Sequence, residues 1–249
     1  MVLDTVVYHP TLDKVIQYLD SSAGRDKLLR LLQYLTKFVS FYLIKNGHSI
    51  VTAQTVRRIE AIATLNRKAL RFLKPLNHLK SASATFDNKL TDKVTRYSQV
   101  LRDLGYAVYL ALDSVSWFKQ LGISSTKRLP QVQKLASLFW FVAVVGGAVN
   151  DLRKIRLSQQ KVASLKQELV VTSDKEGEQT VSKETINLIE SESKLIGSTT
   201  ITLIRDLLDG YIALNGFALQ NKDEKVGLAG VISSLIGIRD VWQGKYINE

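Results

Sequence analysis

Soft and imidazole ligands are scarce in this chain of 249 residues: it has three histidines, His9, His48 and His78, and no cysteine. A zinc site needs three or four such ligands brought together, and the helical zinc motif needs two histidines four residues apart. These three stand far apart, so metal chemistry and imidazole acid–base chemistry have no support in the sequence. A GxxxxGK phosphate loop and a GxGxxG dinucleotide fingerprint are both missing. Six acidic residues and two lysines lie between Asp174 and Glu192, in a polar stretch without the apolar framework that would hold two carboxyls at a fixed separation for acid–base work. The chain therefore reads as a non-enzyme that uses no cofactor.

The residues whose spacing carries a physical function lie between 65 and 79. At about 100° per residue, Leu65, Ala69, Phe72, Leu73, Leu76 and Leu79 fall on one side, and Arg67, Lys68, Arg71, Lys74 and His78 on the other. One face suits acyl chains and the other suits phosphates, which is the pattern of a helix lying in the plane of an anionic phospholipid membrane. Leu70 departs from the stripe. Pro75 removes the hydrogen bond back to Arg71, so a kink or two short helices are expected. Phe72 sits among the leucines and not among the cations, where a base would stack, so no nucleic-acid partner is expected.

The elements that must position this segment are helical. Only three prolines occur in the chain, and the apolar runs are rich in Leu, Ala and Val with charges every three or four residues. The expected class is all-α, with amphipathic helices and one or two membrane-associated apolar helices. Charge divides the chain: residues 1–156 hold 24 Lys and Arg against 10 Asp and Glu, and residues 157–249 hold 10 against 13. We read 1–156 as a basic helical membrane-binding region, 157–194 as an acidic flexible loop, and 195–249 as a C-terminal helical region packing on the first, all within one domain.

Pro10 suits a first helical turn, and Ser21-Ser22-Ala23-Gly24 suits a break before a second helix. In that second helix Leu28, Leu31, Leu32, Leu35, Phe38, Val39 and Tyr42 share a face, which fits docking on the protein's own core or contact with a membrane or partner. Residues 104–118 contain Asp113, which favours a buried or interfacial helix over a span. Residues 135–150 carry no charge. As a helix they reach roughly 24 Å against a hydrocarbon thickness of about 30 Å, between a span and a buried hairpin. Gly146-Gly147 would admit a close neighbour. Residues 227–242 are glycine-rich and read as a packed or interfacial helix. In the acidic loop, Ser173 beside Asp174 is a candidate regulatory phosphorylation site.

Several blocks in order resemble the fungal peroxin 11 family: VVYHP, SSAGRDKLLRLLQYLTKF, LRFLKPLNHL, FDNKL, DLRKI and GLAGVISSLIGIRDVW. The resemblance implies a peroxisomal membrane protein that promotes elongation, proliferation and fission of the organelle. It implies a homo-oligomer that works with a dynamin-related fission GTPase and its adaptor. It also implies a membrane-inserting amphipathic helix, which maps onto Arg67, Lys68, Arg71, Phe72, Leu73, Lys74, Leu76 and Leu79. Some members are proposed to conduct metabolites, which is the alternative function; Asp113 and Asn150 are the candidate pore-lining residues, each also readable as a helix-end or surface residue.

Overall fold

A computed structural model describes residues 9–124, 128–173, 179–218 and 222–246. Among them are eight helices: α1 (Pro10–Asp20), α2 (Ser22–Lys45), α3 (Ile50–Arg71), α4 (Lys74–Asp87), α5 (Lys93–Gln120), α6 (Leu129–Ser173), α7 (Gln179–Ala218) and α8 (Asp223–Tyr246). The expected all-α class holds.

Boundaries follow local chemistry. Ser21 ends α1 and caps α2, its Oγ accepting from the Gly24 amide at 3.0 Å. Pro10 sits in the first turn of α1, where its missing N–H costs nothing. Asp92 caps α5 by accepting from the Thr95 amide at 3.1 Å, and its carboxylate also takes two hydrogen bonds from Arg153 of α6, at 2.8 and 3.0 Å. The Arg153 bonds, and then the Thr95 amide, hold the Asp92 carboxyl far below the usual carboxylate range. The break expected at Pro75 is present. α3 ends at Arg71 and α4 begins at Lys74, with Phe72 and Leu73 between them.

The helices form a closed ring. α5 and α6, α6 and α7, α7 and α8, and α8 and α2 pack as successive pairs, while α3 lies on α2 and α4 lies on α5. The α3–α4 segment is thus a strap bridging the two ends of the series. Close approach is made possible by small residues. A Cβ on Gly146 would stand 3.0 Å from the Ser98 carbonyl oxygen and the Arg102 amide nitrogen of α5, and a Cβ on Gly230 would collide with the ring of Tyr34 in α2. The expected close contacts at both glycine-rich sites are therefore made.

Two expectations are corrected. The leucine stripe of α2 docks only along one edge: Leu31, Phe38 and Val39 are half-buried, with Phe38 close against Gly227 of α8, but Leu28, Leu32, Leu35 and Tyr42 are exposed, while Asp26, Arg30, Thr36 and Ser40 are buried. The same reversal runs through the molecule. The largest fully buried side chains are polar, namely Asn150, Asp206, Ser40, Ser116, Ser233 and Ser234, whereas Leu101, Leu104, Leu207, Leu214 and Leu235 face outward. Asp113 and Asn150, readable as surface or helix-end residues, are both buried. The second correction concerns 157–194. Up to Ser173 it continues α6, and from Gln179 it belongs to α7, so all of it is helical apart from 174–178, which lie outside the described residues. Lys161 bridges to Glu192 at 2.6 Å across the two helices and Lys194 to Glu190 at 2.7 Å along α7. Since α5 begins level with Asn150 and Arg153, the distal parts of α6 and α7 pack chiefly on one another among the described residues and form a projecting arm. α6 also contains the one stretch among the described residues long and apolar enough to cross a membrane, within Leu129–Leu169.

Candidate membrane-binding site

The strap separates its two faces, but not toward the surroundings that an isolated wheel suggests. Its apolar side is outward: Phe72 is 37% exposed, Leu73 65%, Leu76 62% and Leu79 49%, with Ala69 exposed and Leu65 half-buried. Phe72 anchors the stripe, its ring 5.5 Å from Trp117 and 5.3 Å edge-on from Phe118 of α5. Three leucines are left without cover around the break between α3 and α4.

The basic side is inward. Arg67 and Lys68 are each 7% exposed. Arg67 donates to Asp26 of α2 at 3.2 Å and to the Gln33 side-chain oxygen at 2.5 Å. Lys68 meets Asp113 of α5 at 3.0 Å, and Arg71 donates to the same carboxylate at 2.8 Å and to the Tyr109 hydroxyl at 3.2 Å. Lys74 is half-buried. The expectation of a basic face lying on headgroups is thereby corrected: Arg67, Lys68 and Arg71 tie the strap to α2 and α5. Opposite charges taken out of water must be paired and hydrogen-bonded to be tolerated, and here they are. His78 completes the inner face, its Nδ1 3.0 Å from Asp103, which Ser81 and Gln99 also approach.

Inside the ring lies a cavity of about 450 Å³, bounded by α2, the strap, α5, α6 and α7. On the far wall Arg30 pairs with Asp209, which also accepts from Ser233 of α8. Arg102 meets Asp206 at 3.3 Å, and Arg205 bridges Asp206 and Asp240. Tyr34, Tyr106, Tyr109 and Trp140 supply aromatic surface. Sequence reading missed this chamber because its members come from five elements. The signal available was the arginines and aspartates placed opposite leucine stripes on α2, α5 and α7. The candidate regulatory residue Ser173 ends α6; its side-chain surroundings and residues 174–178 lie outside the described residues.

Residues 12–242 match the family described as "Peroxisomal biogenesis factor 11 (PEX11)". The chain is 36% identical to peroxisomal membrane protein PMP30B of Candida boidinii, covering 97% of this chain and 98% of that protein. It is 35% identical to peroxisomal membrane protein PMP27 of Saccharomyces cerevisiae, covering 98% and 99%. It is 23% identical to peroxisomal biogenesis factor 11 of Schizosaccharomyces pombe, covering 96% and 98%. No solved structure matches the chain.

Proposed function

Because this chain belongs to the peroxisomal biogenesis factor 11 family, and so acts at the peroxisomal membrane, we propose that it shapes that membrane by inserting the outward stripe of its strap into one leaflet. The observation that carries the reading is the exposure of Leu73, Leu76 and Leu79 around a helix break at which Arg67, Lys68 and Arg71 are committed inward. Sinking these leucines among acyl chains is worth roughly 1 to 2 kcal/mol each. An inserted wedge occupies area among the headgroups without filling the space below, so the leaflet bends. Anchoring through Asp26 and Asp113 keeps the wedge rigid relative to the ring, so the bend is passed to the whole molecule and is not absorbed by a loose helix. Elongation of the organelle requires many copies, and the exposed apolar faces of the other helices suit self-association within the bilayer. A dynamin-related GTPase and its adaptor would then act on the elongated membrane.

The test uses full-length protein reconstituted with anionic vesicles. Leu73→Ser, Leu76→Ser and Leu79→Ser together leave thermal unfolding nearly unchanged, because the three side chains support nothing inside. They abolish tubules visible by electron microscopy and, in cells, give fewer and larger peroxisomes. Tubulation at the wild-type level by the triple variant refutes the wedge.

Conduction of metabolites is a second reading, favoured by the charged cavity. Planar-bilayer recording distinguishes it: a stable current whose ion selectivity changes with Asp113→Asn supports conduction.

A further inference from the structure

The chamber inside the ring carries more positive charge than its own carboxylates neutralise. Asp26, Asp113 and Asp209 serve Arg67, Lys68, Arg71 and Arg30, and Asp206 with Asp240 serve Arg102 and Arg205. With Asp151, 3% exposed and acting on Arg102 beside Asp206, six carboxylates therefore face six cations before Lys27 and Lys74 are counted. Both of those lysines line the cavity, where Asp26 and, for Lys27, Asp209 act on them from a distance but already hold Arg67 and Arg30. The surplus is two positive charges. Asp103, the next carboxylate outward, is taken by His78, Ser81 and Gln99. Burying unbalanced cations is costly, and ionisable residues held inside a membrane bundle mark a ligand or ion path by default.

We propose that this chamber is a binding site for a phosphate-bearing anion, carried either by a soluble metabolite or by a lipid headgroup that enters between the helices. Its volume, about 450 Å³, is that of a small-molecule site. Guanidinium groups present forked donors to phosphate oxygens, and the two lysines supply mobile point charges. Trp140, stacked on Tyr109 with centroids 5.4 Å apart, gives an apolar wall for the rest of the ligand. The site is independent of the leaflet-wedge reading, since none of its cations lies on the outward stripe.

Lys27 and Lys74 are the residues to change, because among the described residues neither forms a salt bridge within 4 Å. The full-length protein in phosphatidylcholine nanodiscs is titrated with pyrophosphate by calorimetry at about 0.15 M salt, where exposed charges are screened over about 8 Å. A parallel series replaces part of the phosphatidylcholine with phosphatidic acid and reads thermal stability. Saturable binding of one pyrophosphate per chain supports the site and identifies a soluble ligand. Stabilisation by phosphatidic acid, with no pyrophosphate binding, supports it and identifies a headgroup. In either case Lys27→Gln with Lys74→Gln weakens binding at least tenfold and raises the melting temperature of the unliganded protein. Lys74→Gln alone, half-buried at the break in the middle of the strap, moves both readouts the same way by less. Failure of both probes to bind, binding unaffected by the variants, or a lowered melting temperature in unliganded Lys74→Gln overturns the proposal. Tubulation of vesicles at the wild-type level by Lys27→Gln, which lies on α2 and outside the strap, separates this result from the wedge.

Discussion

Asp113 illustrates how far a single residue could be interpreted before folding. Its cost in a bilayer was legible, and it argued correctly for a buried setting; its partners were not, because Lys68 and Arg71 sit more than forty positions away. Removing one member of such a buried set leaves the others uncompensated. Asp113→Asn is expected to destabilise the protein by about 3 kcal/mol in denaturant unfolding. Replacing the set with Lys68→Met, Arg71→Met and Asp113→Leu recovers most of that loss, since no orphaned charge remains. Asp92 gives a pH signature. Its carboxyl is held below the unfolded value of about 3.9 by Arg153 and by the Thr95 amide. The group therefore adds stability that is complete above about pH 4 to 5 and is lost as the pH falls through its folded value. Asp92→Asn keeps a capping oxygen but removes the charge, so thermal melts from pH 6 down to pH 3 show a shallower acid slope in the variant.

At the level of elements, periodicity located the helices well and said nothing about which way they turn. The stripes of α2 and the strap have the spacing of core-facing helices, yet they face outward, because a helical wheel cannot distinguish a protein interior from a lipid one. The arm was misread for a different reason. Its polar composition fits a solvated loop as well as two helices that support each other through pairs such as Lys161–Glu192. Glycines were the most readable feature, and they allow a direct test. Gly146→Leu drives a side chain into the α5 backbone, with a Cβ already 3.0 Å from two of its atoms, and should lower the melting temperature by ten degrees or more. Gly197→Ala, with nothing within 4 Å of the added carbon, should be neutral or slightly stabilising, by up to about 1 kcal/mol.

For the whole molecule, the reversal of inside and outside is the feature that composition concealed. A mean hydropathy near zero averages an apolar exterior with a charged chamber. If the bundle is lipid-embedded, its exterior is where charge is least tolerated. Val145 and Val149, both 42% exposed on the apolar part of α6, face away from the ring. Val145→Lys with Val149→Lys is expected to leave helix content unchanged by circular dichroism while releasing the protein from membranes in alkaline carbonate, each buried charge costing a few kcal/mol. Retention of the folded variant in the pellet contradicts an embedded α6. The arm leads to one more consequence. It is continuous with the apolar part of α6, so with that part embedded it would leave the bilayer on one side only, as a polar rod roughly 30 Å long between Arg153 and Ser173. Rods planted on one side of a sheet compete for room at their tips as their surface density rises. Spreading the tips apart relieves this crowding, so the side that carries the rods becomes convex, and lateral steric pressure bends the sheet in a way that needs no contact with lipid at all.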